Sequence, residues 1–201
     1  MKRDFYEADL AGHDFTKQDL NDSTFEDANL RGASFSRADL VRCNFRGADL
    51  EGANLAGACL VGADFTGANL ESANLAEADL EGARFDNALV NGVNLEGALA
   101  SGAVFRQCEL VGANLSGADL SGADLSGAAM RGANLSYCTL HEANLTSADL
   151  SGASLMFADV TDADFSKATL TGAAVGGCNL QSAEGVDRSE DEDDDDHDDE
   201  W

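Results

Sequence analysis

The chain has 201 residues, with 38 acids against 12 bases for a net charge of −26, no proline and a single Trp. That length suits one domain of ordinary size with room for a tail, and its 21 glycines, about a tenth of the residues, exclude a collagen-like rod. Acidity on this scale excludes nonspecific binding to a nucleic-acid backbone, and no apolar run approaches the roughly 18–20 residues that span a bilayer.

The opening MKRDFYEADL lacks the apolar stretch of a secretory signal, so a cytoplasmic chain without membrane attachment is expected. From Phe5 a five-letter word sets in, clearest at residues 116–130, SGADLSGADLSGAAM. A period of five matches neither the 3.6 of a helix nor the 2 of a strand. With every multiple of five taken as a centre, 36 pentads run from Phe5 to Leu180 without an insertion. The centres are 22 Leu, nine Phe, three Val, Met130 and Ala100. Two residues before the centre, 31 of 36 positions are Ala or Cys; one before it, 23 are Asp or Asn; two after it, 19 are Gly. Centre and minus-two point to the same side of an extended segment, and Gly supplies the freedom a corner needs.

A five-residue unit cannot bury its own Leu, so the units must wind and stack. Phe5, Phe25, Phe45, Phe65, Phe85 and Phe105 recur every 20 residues, as one column of a core stack. Four pentads per turn then make a square coil, with nine coils and a rod about 43 Å long at strand spacing. The A(D/N)LXX pattern over residues 3–182 resembles the pentapeptide-repeat family. The resemblance implies an all-β fold, a right-handed quadrilateral β-helix over 3–182. An acidic C-terminal tail over 183–201 follows it and is expected to be disordered.

Folding the repeat into four columns sorts its charge. The face centred on 20, 40, 60 and onward carries Asp19, Asp22, Asp39, Asp79, Glu81, Asp119, Glu142, Asp159 and Asp162 against Arg42 alone, a net −8. The other faces carry −3, −4 and −1, and the last of them presents a neutral run, Asn54, Asn74, Asn94, Asn114 and Asn134. On that near-neutral face Tyr137 and Phe157 stand 20 residues apart in an outward slot with Met156 beside them. They read either as a partner contact or as a patch covered by the tail or the last coil. A second break, Leu89, Val93, Leu99, Ala100 and Val104, reads as a local register shift in which Leu99 takes the core place of Ala100.

Chemistry is scarce. Cys43, Cys108, Cys138 and Cys178 take the small inward slot and read as core thiols; Cys59 alone faces out. Cys138 and Cys178 share a column but lie two coils apart, beyond disulfide reach. His13 reads as an inward substitution for Ala, and neither His141 nor His197 pairs with cysteines at zinc spacing. No catalytic set, cofactor or metal site is expected. From Asp187 the tail holds 11 acids and one base, a solubility segment ending in Trp201.

Two functional readings follow. The first is a non-enzymatic protein-interaction scaffold presenting flat faces to a protein partner. The second comes from the resemblance: some family members look like B-DNA and protect DNA gyrase or topoisomerase IV from quinolone-type poisons, which makes the −8 face the DNA-like surface. The family also implies end-to-end homodimers. Asp-rich, Lys-poor surfaces resemble those of salt-accumulating halophiles.

Overall fold

The computed structural model describes residues 2–186. Its architecture is a coil with a 20-residue pitch in sequence: parallel bridges join the residue before a centre to the one 20 later, from Asp4↔Thr24 through to Asp164↔Glu184, with the pair Asp159 and Asn179 left out. Four pentads make one circuit, as the phenylalanine spacing predicts.

The backbone explains why each letter of the pentad is what it is. In pentad 113–117, Ala113 N–H donates to Leu110 O at 3.1 Å and closes a β-turn around the corner. Asn114 N–H reaches back to Val93 O (2.9 Å), while Leu115 and Gly117 N–H reach forward to Asn134 O (2.8 Å) and Ser136 O (2.9 Å). The remaining donor, Ser116 N–H, is taken by the Asn114 side chain, Oδ1, at 3.2 Å. All five donors are thereby met. This last bond is why Asp and Asn crowd the slot before the centre: their side-chain oxygen accepts a backbone N–H two residues on.

Every residue two past a centre, from Glu7 to Gly177, has φ between +53° and +73°. Positive φ at the third residue of a turn is what a type II turn requires, and Gly meets it without strain.

Inside, the Phe column stacks as expected, with centroids 4.8 Å apart for Phe5–Phe25 and 4.6 Å for Phe85–Phe105. A second column, Phe15 over Phe35 at 4.8 Å, meets the first edge-on, Phe25 against Phe35 at 5.4 Å and 87°. Alanines fill the space between the large centres, buried throughout the middle of the rod.

The register never shifts. Ala100 is buried in the centre slot and Leu99 is 54% exposed, so Leu99 does not take the core role expected of it. The cause is the hydrogen-bond frame: Leu99 bridges both Asp79 and Asp119, and turning it inward would break both pairings. Leu89 likewise faces out, whereas Val93 is buried in the small slot.

The ends differ from the middle. Phe5 and Leu10 are only partly buried, and His13, expected to point inward like Ala, is exposed beside Phe15 because its coil is the first and has nothing below it. At the other end Leu170, Val175 and Leu180 are partly buried. There Asn179 leaves the ladder and a 3-10 turn spans Leu180–Ser182. Its side chain stands in for the lost backbone acceptor, Oδ1 taking Val160 N–H at 2.8 Å. Pairing continues two residues past 182, where Ala183 is buried and Glu184 bridges Asp164. The rest of the expected tail, 187–201 with His197 and Trp201, lies outside the described residues.

Candidate functional site

The acidic side is built by the bridge register. Asp19, Asp39, Cys59, Asp79, Leu99, Asp119, Thr139 and Asp159 form one ladder, each paired to the next. Glu81, Glu142, Asp22 and Asp162 stand at the corner that follows. All but one of the column aspartates commit an oxygen to their own turn: Asp79 Oδ1 accepts Glu81 N–H (3.3 Å), Asp119 Oδ1 accepts Ser121 N–H (3.0 Å), and Asp159 Oδ1 accepts Thr161 N–H (3.1 Å), while beside Asp39 the Val41 N–H goes to Asn21 Oδ1 (2.7 Å). Asp159 is held below the ordinary carboxylate range by the Thr161 hydroxyl and N–H, then by Asn179. Asp22 is neutralised by a two-pronged pair with Arg42, Nε to Oδ1 at 2.8 Å and Nη2 to Oδ2 at 3.0 Å. The column is therefore a row of fixed carboxylates interrupted by Cys59, Leu99 and Thr139.

The near-neutral face is a polar ladder. Asn134 Nδ2 donates to Asn114 Oδ1 at 3.2 Å, Asn114 to Asn94 at 3.2 Å, and Asn94 to Asn74 at 3.4 Å. Each Oδ1 also accepts its own corner N–H, so these amides are spent on holding coils together. Sequence reading identified the run but not this role, because it becomes visible only once the 20-residue register places one amide on the next.

Where that face turns the corner toward the acidic column, Tyr137 and Phe157 come together. Their rings are parallel, 5.3 Å between centroids at 13°. Tyr137 is 66% exposed, Phe157 53% and Met156 39%. The last coil, expected as one possible cover, does not cover them. It presents Gly176 and Gly177 there, and a Cβ on Gly177 would sit 2.4 Å from Phe157 Cδ1. Both aromatics occupy left-handed backbone, φ +61° and +58°, in the slot where Gly is the usual residue.

The cysteines are free, and the core-thiol reading fits Cys43, Cys108 and Cys138, which are buried, while Cys178 in the last coil is only partly so. Cys43 donates its S–H to Leu20 O (3.0 Å), Cys108 to Phe85 O (2.6 Å) and Cys138 to Leu115 O (2.8 Å). Burial pushes all three thiols up to about 12, where the thiolate is negligible at neutral pH. Cys178 is raised by burial as well. Cys59 is half-buried between Asp39 and Asp79. His141 lies at a corner, Nδ1 3.1 Å from Thr161 O. Among the described residues no cluster of three or more His, Cys, Asp or Glu could hold a metal ion. A shallow groove of about 440 Å³ runs along another corner beside Asp86, Gln107, Ser126 and Thr146; its Arg106 is paired to Asp124 at 2.6 Å, and its lining brings no His or Cys to the hydroxyls. No helix among the described residues is long and apolar enough to cross a membrane.

Comparison with known proteins agrees with this geometry. A family model described as pentapeptide repeats matches in eight copies between residues 4 and 181. HetL, a pentapeptide repeat protein involved in heterocyst differentiation regulation from the cyanobacterium Nostoc sp. strain PCC 7120, is 29% identical, with 91% of this chain and 90% of that one covered and a TM-score of 0.55. Trypsin-treated QnrB1, a plasmid-mediated fluoroquinolone resistance protein, is 22% identical over 86% of this chain and 90% of that one, at a TM-score of 0.69. At that identity QnrB1 is similar in fold alone. No curated protein sequence matches the chain.

Proposed function

The chain belongs to the pentapeptide-repeat family, and on that premise we propose that it is a non-enzymatic interaction scaffold, a stiff rod that docks a protein partner on its aromatic corner. The observation that carries this reading is the exposed, stacked Tyr137–Phe157 pair, held in backbone that costs a bulky side chain about 1 kcal/mol and that Gly would relieve. The test is partner capture by the full chain against Tyr137→Gly with Phe157→Gly. Loss of the captured protein, with thermal stability kept, is the expected result; undiminished capture removes the reading.

A second reading, a DNA mimic that protects DNA gyrase or topoisomerase IV, is favoured by the carboxylate column. Magnitudes weigh against it. Duplex DNA carries about one charge per 1.7 Å, roughly 25 over a 43 Å rod, while the repeat body nets −16. Asp79→Asn with Asp119→Asn and Asp159→Asn removes charge but leaves the side-chain oxygen that caps each turn, so it tests charge without unfolding the rod. Salt-sensitive gyrase retention that this triple variant abolishes supports mimicry; retention at no salt concentration discards it. Nine coils, a cytoplasmic setting and an end-to-end homodimer through the partly buried Leu170, Val175 and Leu180 belong to both readings. Sedimentation of the full chain reads the last of these, and a monomer at every concentration removes it.

A further inference from the structure

We infer that the corner carrying Tyr137 and Phe157 is an arginine-binding site, and that the partner docks there through a basic segment whose guanidinium groups stack on the Tyr137 end of the ring pair and pair with Asp119 and Asp159. This rests on the scaffold reading and names the chemistry of its partner.

Three observations carry it. First, the two rings are parallel and exposed; the Phe157 ring lies against Gly177, and the stack is open at its Tyr137 end, where the next residue of the column, Gly117, adds no side chain. An open aromatic face takes a planar cation well, with the charge within about 6 Å of the ring centroid. Second, the residue two past Phe157 is Asp159, and the bridge ladder places Thr139 and then Asp119 below it. The chain's strongest acidic column thus begins where the aromatic pair ends. Third, these carboxylates are preset. Asp159 Oδ1 is held by Thr161 N–H and Oγ1 and by Asn179 Nδ2 (3.0 Å), and Asp119 Oδ1 by Ser121 N–H and Oγ (2.6 Å). In each case Oδ2 takes none of these bonds. Asp162 and Glu142 stand exposed at the next corner.

A flat ring beside oriented carboxylates selects arginine over lysine, because guanidinium stacks and forks while ammonium is a strongly hydrated point charge. A second copy of this chain is a poor source of that group. Six of its nine arginines, Arg31, Arg42, Arg46, Arg84, Arg106 and Arg131, are paired to an acid of their own chain, and the net charge of −26 repels a second copy. Nucleic acid is excluded by the same charge. The occupant is therefore another, basic protein.

The test titrates the full chain with hexa-arginine and, at equal charge, hexa-lysine, reading affinity and the ring resonances of ¹³C-labelled tyrosine. Hexa-arginine should shift Tyr137 and leave Tyr6 in place. Its affinity should fall at least tenfold in Tyr137→Gly/Phe157→Gly and in Asp119→Asn/Asp159→Asn, with no such fall in Asp19→Asn/Asp39→Asn at the far end of the column. Equal binding of both peptides, indifferent to the aromatic variant, overturns the inference and assigns the binding to acidic charge in general. A captured partner that needs Tyr137 and Phe157 but is not displaced by hexa-arginine overturns it too, and leaves the scaffold reading standing. Capture indifferent to both aromatics overturns the two together.

Discussion

At Leu99 the hydrophobicity of a residue and its position in the register disagree, and the register decides. The side chain is among the most apolar in the chain, yet it faces water because the residues either side of it in the coil stack, Asp79 and Asp119, hold its backbone outward. Leu99→Ala should therefore cost under about 0.5 kcal/mol, whereas Leu120→Ala, in the buried column, should cost about 2–5 kcal/mol. Leu99→Asn should go further and raise stability by about 1 kcal/mol, since an amide there caps Ser101 N–H and can donate to Asp79 as Asn69 does to Asp49 (3.1 Å). Chemical denaturation measures all three, and a core-sized loss at Leu99 would restore the register shift. Gly177 makes a second residue-level case. Both Gly117 and Gly177 have positive φ, but a Cβ meets nothing at Gly117 and overlaps the Phe157 ring at Gly177. Gly177→Ala should cost more than Gly117→Ala, and the excess should vanish in a Phe157→Gly background. A double-mutant cycle reads the coupling.

The element of this fold is the pentad, and its weak point is acid. Asp14, Asp149, Asp159 and Asp164 are held below their ordinary value of 3.8 by the hydroxyl and N–H of the Ser or Thr two residues on. A carboxyl lowered in the folded state contributes stability that is fully present above its unfolded value and drains away as pH falls through the folded one. The rod should therefore be stable at neutral pH and lose stability below about pH 3.8. Replacing Thr16, Ser151, Thr161 and Ser166 with Ala should move the acid-unfolding midpoint to higher pH. Circular dichroism across an acid titration checks this, and an unmoved midpoint would sink the assignment. The pentad itself was legible without a structure because each of its five places has one physical job and so one narrow set of residues. Phe5 through Phe105 even disclosed the number of pentads per circuit. What stayed hidden depends on side-chain hydrogen bonds between coils. The Asn54 to Asn134 run reads in sequence as an inert polar face, yet its amides bind the coils to one another. His13 keeps the backbone frame of the inward slot yet is exposed, because that slot buries a side chain only where a coil lies on both sides.

For the whole molecule the decisive quantity is the −26 charge, which both functional readings must accommodate. The aromatic corner was legible because Tyr137 and Phe157 differ by one circuit, but their meeting with the acidic column needed the four faces in space. Carboxylates stacked at coil spacing, such as Asp19 on Asp39, repel along the rod, and the cost is spread over the body rather than confined to one pair. Opposing this are exposed Arg–carboxylate pairs such as Arg131–Asp149 at 2.9 Å, each contributing little because water screens it. Salt screens both, with a Debye length falling from about 10 Å at 0.1 M to 3 Å at 1 M. Acids outnumber bases threefold, so relief of repulsion outweighs loss of pairing and the melting temperature should rise steadily from low to molar salt. The Asp79→Asn, Asp119→Asn, Asp159→Asn variant should start higher at low salt and gain less. A wild-type melting temperature that is flat or falls with salt would mean that the arginine pairs, not the carboxylate columns, govern the rod. The same series separates the partners: an arginine stacked on Tyr137 keeps its ring contact in molar salt, whereas recognition of the acidic column by long-range field alone does not survive it.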